Sequence, residues 1–255
     1  MGFFLVCMLV GLVAQFIDGA LGMAYGVSCN TFLLTLGITP ALASASVKTA
    51  EIFTTAVSGI AHWKMGNVDR KFMVSLAVPG VFGGVAGAFV LSYFADNKFI
   101  LPIVSTYLVV MGGVIIFKAL RKKVDGAEKK HRVVPLGLVG GFLDSLGGGG
   151  WGPIVTSTLI AGGKEARIAI GSVNMAEFFV NLSQVITFAL MLGLKMQQQS
   201  RQLAVIIGGL ILGGVIAAPI AAYVCKRIEP KKLMLVVGAV IIALSLRNIV
   251  AAFMR

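Results

Sequence analysis

The sequence contains one unit that occurs twice. Residues 11–51 align without a gap with residues 137–177, at an offset of 126 positions, and the match resumes further on at an offset of 130. In both copies an aspartate and a glutamate stand in register: Asp18 with Asp144, and Glu51 with Glu177. Agreement on glycine and alanine is common by chance in apolar sequence, whereas agreement on two acidic positions is not. We therefore expect two related halves.

Long apolar stretches follow one another in both halves. They cover about 41–63, 72–95 and 99–119 in the first half, and about 167–193, 202–224 and 233–253 in the second. Each approaches the roughly 20 residues that a helix needs to cross a bilayer. Of the 255 residues 58% are hydrophobic and only 13% are charged, against about 25% charged in a soluble domain. A soluble globular domain, a disordered chain and a disulfide scaffold are excluded, and an all-α polytopic membrane protein is predicted.

A broken apolar segment precedes the three stretches in each half. It covers residues 3–36, broken after Asp18, and residues 133–162, broken after Asp144. If each segment is one interrupted span, the repeats are parallel, with about seven basic residues outside and twelve inside. If each is a re-entrant hairpin, the second repeat is inverted, and fifteen basic residues face the cytoplasm against four outside. The positive-inside rule favours two inverted-topology repeats, each a broken re-entrant helix pair plus three transmembrane helices.

The expected organisation is a single integral membrane domain. Residues 1–120 form the first repeat, residues 121–132 a basic cytoplasmic loop, and residues 133–255 the second repeat. The net charge of +12 comes largely from such short loops, which favours a role in membrane topology over nucleic-acid binding. The N-terminus lacks a basic region before its apolar residues, so no removable signal peptide is expected.

Glycine clusters interrupt both broken segments. Backbone groups inside a membrane must face protein or a watery cavity, so the two breaks should line an interior site. A helix that restarts there presents free N–H groups and the positive end of its dipole, which favours anions, and glycine lets a ligand approach the backbone. Tight helix packing is the alternative explanation. The predicted substrate-binding residues at the breaks are Gly22, Tyr25, Gly26, Gly148, Gly149, Gly150 and Trp151.

Polar side chains on the stretches that follow complete the predicted binding site. Lys48 lies three residues before Glu51, so the two can pair across one helical turn, and Lys48 is also placed to contact an anionic substrate. The repeat counterpart of Lys48 is Asn174, and Ser46 and Ser172 supply hydroxyl groups at equivalent positions. Hydrogen bonds between helices are the structural alternative for these side chains.

Four acids lie within or at the ends of apolar segments. An ionised residue at mid-bilayer costs about 2.5–3.5 kcal/mol, so these acids should be paired, protonated or facing water. Asp18 and Asp144 are expected to cap the amides of the half-helices that follow them. Glu51 and Glu177 are the candidates for proton coupling, with placement near water at a helix end as the alternative.

Nothing in the sequence predicts a cofactor, a metal site or an enzyme. The three cysteines are scattered without a CxxC spacing, and the two histidines are far from any cluster of ligands. The expected partners are a small anionic substrate, protons and the lipid bilayer, with no nucleic acid. Assembly into a homo-oligomer stays open.

The pattern Asp18-Gly19 followed by Gly22, and its second copy Phe142-Leu143-Asp144 followed by Gly147–Gly150, resemble the sulfite exporter TauE/SafE family of membrane permeases. The stretches 43–47, 169–173 and 62–69 are similar to further segments of that family. The first copy departs from the pattern, with Met23-Ala24-Tyr25 where a fuller glycine run is usual. The resemblance implies a bacterial inner-membrane transporter with two homologous halves, and sulfur-containing substrates such as sulfite, sulfoacetate or related sulfonates.

Together these expectations describe a secondary transporter, most simply an exporter, that moves a small sulfur-containing anion by alternating access. A passive anion channel built on the same broken helices is the alternative function.

Overall fold

A computed structural model describes residues 2–21, 23–120, 132–224 and 230–254. The basic segments 121–131 and 225–229, and Gly22 of the predicted site, lie outside these residues. The described chain forms ten α-helices and one π-helical segment, Trp151–Thr156. The helices are α1 (Gly2–Leu21), α2 (Tyr25–Thr35), α3 (Pro40–Lys64), α4 (Arg70–Tyr93), α5 (Ile100–Leu120), α6 (Val133–Gly147), α7 (Ser157–Ala161), α8 (Ala166–Gln198), α9 (Ser200–Val224) and α10 (Pro230–Phe253).

Five of the described helices are long and apolar enough to cross a membrane: α4, α5, α8, α9 and α10. Helix α3 has 25 residues, enough for about 38 Å at 1.5 Å per residue, but its sequence includes Lys48, Glu51 and several hydroxyl residues that lower its hydropathy. Those polar side chains are buried among the other helices. The prediction of an all-helical, polytopic membrane protein is confirmed.

Local sequence signals set the helix ends. Helix α3 begins with Pro40 in its first turn, where the missing N–H costs nothing. Helix α4 begins after Asp69, whose Oδ1 accepts a hydrogen bond from the Phe72 N–H at 3.0 Å. Helix α6 ends at Gly147 and is followed by Gly148, which has a positive φ of 73°, a conformation that residues with a Cβ rarely adopt. These signals explain why the helix boundaries lie within a few residues of the apolar stretches in the sequence.

The chain turns back on itself at both breaks. In the second copy, a Cβ on Gly140 of α6 would overlap the side chain of Val155, which follows the break. Residues fifteen positions apart in a straight helix lie about 22 Å from each other, so this contact requires a reversal of the chain. In the first copy α2 packs against α1, and Val10 and Thr31 line the same groove. Each broken segment is therefore a helical hairpin.

Helices of one repeat pack on helices of the other in a reciprocal pattern. Helix α1 packs on α9, and its counterpart α6 packs on α4. Individual residues follow the same exchange: Tyr25 donates to the carbonyl of Leu210, while Trp151 packs against Gly80, the position equivalent to Leu210. In α5 and α10 the offset between the repeats returns to 126, so that Gly112 is equivalent to Gly238. These two glycines face each other: a Cβ built on either one would lie 3.0 Å or less from the carbonyl oxygen of the other.

Helices α3 and α8, which are equivalent in the two repeats, run antiparallel. Near the end of α3, Ser58 accepts a hydrogen bond of 2.8 Å from Asn174, near the start of α8. Near the start of α3, Lys48 donates to Oδ2 of Asp144, and Gln184, which lies further along α8, donates to the same oxygen. Because ascending positions on α3 meet descending positions on α8, the two helices point in opposite directions.

Candidate functional site

The two glycine breaks meet in the interior of the protein. A Cβ built on Gly26 would lie 2.6 Å from the Cα of Gly148 and 2.9 Å from Oε1 of Glu51. Such distances are far below van der Waals contact, so these two backbones approach as closely as they do only because neither residue has a side chain. The contact joins the start of α2 in the first repeat to the end of α6 in the second.

The half-helix α2 begins at this contact, and Asp18, which is predicted to cap it, lies near its first amide. Ala24 precedes it with a positive φ of 92°, an unusual conformation for a residue with a Cβ. The Tyr25 N–H then donates to Oδ1 of Asp18 at 3.5 Å. In this long hydrogen bond the carboxylate accepts from the first amide of the helix, which also places negative charge at the positive end of the helix dipole.

Four charged side chains form what we call the acid–lysine cluster: Lys48, Glu51, Asp144 and Glu177. The Lys48 side chain is fully buried, and its Nζ donates to Oε2 of Glu51 at 2.5 Å and to Oδ2 of Asp144 at 2.6 Å. Ligand oxygens of Glu51, Asp144 and Glu177 lie within 4.8 Å of one another. Like charges this close repel, so the ammonium group of Lys48 stabilises the cluster by balancing part of its negative charge.

The sequence predicted only part of this cluster. The pairing of Lys48 with Glu51 follows from their spacing on one helix and is present. The pairing of Lys48 with Asp144 joins residues 96 positions apart, and no local pattern announces it. The three acids also form a geometry that can hold a metal ion, but the Lys48 ammonium already supplies a cation to Glu51 and Asp144.

Asp144 does not play the capping role expected from its equivalence with Asp18. Its Oδ2 accepts from Lys48 and, at 3.3 Å, from Gln184, while Oδ1 is buried without a hydrogen-bond partner in the described part of the chain. The Gly148 N–H donates to the backbone carbonyl of Asp144 at 2.7 Å, which closes the last turn of α6. The carboxylate thus turns toward the other helices because a buried ammonium is available there.

A small cavity lies between the breaks and the cluster. Its volume is about 20 Å³, enough for about one water molecule and far too small for a sulfur oxyanion. Its lining residues are Asp18, Ala24, Tyr25, Gly26, Glu51, Thr54, Thr55, Gly148, Gly152 and Glu177. Thr54 and Thr55, which the sequence prediction missed, follow Glu51 by three and four residues and therefore share its helix face.

Four other predicted binding residues do not line the cavity, and their polar groups are already engaged in hydrogen bonds. Trp151 is fully buried, and its Nε1 donates to the Val173 carbonyl at 3.0 Å. Ser46 donates to the carbonyl four residues earlier at 2.8 Å. Ser172 accepts from the Asp69 N–H at 2.9 Å, and Asn174 donates to Ser58.

The glycines that follow Gly148 are close-packed. A Cβ on Gly149 would lie 2.5 Å from the hydroxyl of Tyr107 on α5, and a Cβ on Gly150 would overlap the carbonyl of Gly140. Packing therefore accounts for these two glycines, which agrees with tight helix packing, the alternative explanation given above for the glycine run. Direct backbone contact across the two breaks is confined to Gly26 and Gly148 among the described glycines of the predicted site.

Membrane-spanning helices wrapped around a buried polar site with two helix breaks define a multi-pass membrane protein, and comparison with known proteins places it among the transporters. The chain belongs to the sulfite exporter TauE/SafE family, whose sequence model matches residues 7–248. It is also 40% identical over 248 residues to the probable membrane transporter protein YtnM of Bacillus subtilis strain 168, a match that covers 94% of this chain and 81% of that protein. No solved structure matches the chain.

Proposed function

We propose that this protein is a secondary transporter that exports a small sulfur-containing anion, such as sulfite, sulfoacetate or another sulfonate, across the bacterial inner membrane. The observation that carries the proposal is the meeting of Gly26 and Gly148 beside the acid–lysine cluster. The start of the half-helix α2, the buried ammonium of Lys48 and titratable acids of both repeats converge there. The family name supports sulfite as the first substrate to test.

Inverted repeats and alternating access are supported by the antiparallel pair α3 and α8. A two-fold axis that exchanges equivalent antiparallel helices is perpendicular to them, and such an axis lies in the plane of the membrane when the helices cross it. This is the symmetry of secondary transporters that move by rocking one repeat against the other. The reciprocal contacts of Gly112 with Gly238 fit the same axis.

The hairpin shape of the broken segments also supports the proposed topology. With each hairpin entering and leaving on one side, the loops 64–71, 121–132, 163–167 and 225–232 share a face of the membrane. Basic residues concentrate in these loops, and the positive-inside rule assigns that face to the cytoplasm. Both chain ends of the given sequence then face the opposite side.

Charge makes proton coupling part of the proposal. The site contains four carboxyl groups, Asp18 included, and one ammonium group, so an anion would meet net negative charge if every acid were ionised. Binding a proton at Glu51 or Glu177 removes one negative charge and favours entry of an anion. Release of the proton on the other side of the membrane would then favour release of the anion.

A passive channel is the less favoured alternative. A channel needs a continuous water-filled path in its open state, whereas the cavity here is about 20 Å³ and the backbones of Gly26 and Gly148 are packed together beside it. A transporter passes through closed states of this kind in each cycle.

Purified protein in liposomes provides the test. We expect saturable flux of radiolabelled sulfite, with counterflow, and stimulation when a proton gradient runs in the direction of anion movement. No flux of sulfite, sulfoacetate or another sulfonate would refute the substrate class. Flux that is the same with and without the gradient would refute proton coupling, and flux without saturation or counterflow would favour the channel.

A further inference from the structure

The two halves of the site differ in one set of contacts. Lys48 and Gln184 both donate to Oδ2 of Asp144. The positions equivalent to these two residues are Asn174 and Ser58, each displaced by 126. Asn174 and Ser58 bond to each other at 2.8 Å, and the hydrogen bond described for Asp18, the equivalent of Asp144, comes from the Tyr25 N–H.

We propose that Lys48 is a positioning residue that, with Gln184, latches Asp144 in one of the two alternating states and so sets which side of the membrane the resting transporter opens to. The inference rests on the proposed alternating access of inverted repeats. It goes beyond that proposal because two identical repeats that exchanged conformations would give two states of equal energy. A preference for one state must therefore come from a difference between the repeats.

The contacts explain the bias. Lys48 on α3 in the first repeat holds Asp144, in the last turns of α6 before the second break. In an inverted-repeat transporter the opposite-facing state is reached when each repeat adopts the conformation of the other. Asp18 would then occupy the environment that Asp144 has now, but it would face the neutral amide of Asn174 instead of an ammonium. When the protein changes to the opposite-facing state, the charged hydrogen bond between Lys48 and Asp144 is therefore lost, and no equivalent charged bond forms at Asp18.

Burial makes this difference effective. The Lys48 and Asp144 side chains are 0% and 1% exposed, so water does not compete for either partner. Breaking a buried ion pair while leaving its members without partners is far more costly than breaking a surface pair. Glu51 lies on the same helix as Lys48, three residues further on, so this pair does not require the two repeats to meet. Asp144 is therefore the partner whose loss distinguishes the two states.

The test exchanges residues between the repeats and measures the open side directly. Thr55, which lines the cavity, is changed to Cys in a background carrying Cys7→Ala, Cys29→Ala and Cys225→Ser. A membrane-impermeant thiol reagent is applied from either side of oriented vesicles, without substrate. We compare the ratio of the two labelling rates in Lys48→Asn, in Gln184→Ser and in the exchange variant Lys48→Asn with Asn174→Lys.

We expect Lys48→Asn to change this ratio about tenfold or more, and Gln184→Ser to change it less in the same direction. The exchange variant has the same residue composition as the wild type. It should change the ratio of labelling rates in the same direction as Lys48→Asn but further, so that labelling from the opposite side is favoured. Lys195→Asn, on a lysine paired with exposed Asp96, is the matched control and should leave the ratio unchanged. Gel filtration verifies that each variant is folded. If Lys48→Asn does not fold, Gln184→Ser still tests the proposal, because it leaves every charged side chain in place.

An unchanged ratio in folded Gln184→Ser and exchange variants would overturn the latch. Labelling from the same single side in every variant would overturn it too. The same vesicles are assayed for sulfite flux. A shifted ratio without sulfite flux in the wild type keeps the latch and rejects the substrate, whereas flux with an unshifted ratio rejects the latch alone.

Discussion

Gly26 of the first repeat and Gly148 of the second are in backbone contact, so close that a Cβ on Gly26 would lie 2.6 Å from the Cα of Gly148. This contact brings the beginning of one half-helix and the end of another to the same place, next to Glu51. It defines the centre of the proposed transport site more narrowly than the whole run of glycines does.

Gly148→Val should stop transport while the protein still inserts and folds. The added Cβ would collide with Gly26, and valine would have to adopt a positive φ, at a cost of about 1–2 kcal/mol. Overpacking adds about 1–3 kcal/mol, which together is below the usual stability of a folded domain, about 5–15 kcal/mol. The measurement is sulfite flux into liposomes, compared with Gly193→Val, where a Cβ meets nothing within 4 Å. Wild-type flux in Gly148→Val would show that the break is not the site.

Glu177→Gln should separate proton coupling from architecture. Glutamine keeps the size of the side chain in the cavity but binds no proton, so stimulation by a proton gradient should disappear. Flux is measured with the pH fixed on the side from which the anion starts, with and without the gradient. Glu165→Gln removes an exposed acid paired with Arg167 and should leave the stimulation intact. If Glu177→Gln retains the full stimulation, Glu177 has no part in the proton pathway.

Thr39→Cys and Glu165→Cys should be labelled from opposite sides of the membrane. The two positions are equivalent in the repeats and both are exposed, so inverted repeats place them on opposite faces, with position 165 in the cytoplasm. Labelling by an impermeant thiol reagent in whole cells and in inverted vesicles measures this. Parallel repeats would instead give labelling of both positions from the same side.

Gly112→Val should destabilise the protein, whereas Gly113→Val should not. A Cβ on Gly112 would lie 2.8 Å from Ile242 and 3.0 Å from the Gly238 carbonyl, but a Cβ on Gly113 meets nothing within 4 Å. Overpacking of this kind costs about 1–3 kcal/mol, which should lower the melting temperature in detergent by several degrees. Equal melting temperatures for the two variants would contradict the close crossing of α5 and α10.

The spans could be predicted because hydrophobic length is a local property of the sequence. The apolar stretch 72–95, for example, becomes α4 at Arg70–Tyr93. The pairing of Lys48 with Glu51 could be predicted for the same reason, since one helical turn joins them. Repeat equivalence carried the prediction further, because it identified Asn174 as the counterpart of Lys48.

Contacts between distant elements could not be predicted. Asp144 and Asp18 occupy equivalent positions, yet among the residues that the structure describes only Asp144 accepts a hydrogen bond from a lysine. The reason is that the position equivalent to Lys48 is Asn174. The position of Trp151 after the glycine run predicts a binding residue, and the same position gives no sign that its indole packs against Gly80 and bonds to Val173. Which face of a half-helix turns toward the cavity depends on the helices around it, and those are fixed only by the fold.

The burial of Lys48 has an electrical consequence. Its charge is attached to α3 and returns to its starting place in every cycle, so it contributes nothing to the net current of steady transport. The current then reports only the anion and the protons that cross with it. A singly charged anion moving with one proton would be silent, and a doubly charged anion with one proton would carry one negative charge per cycle, which a voltage-clamped membrane can count.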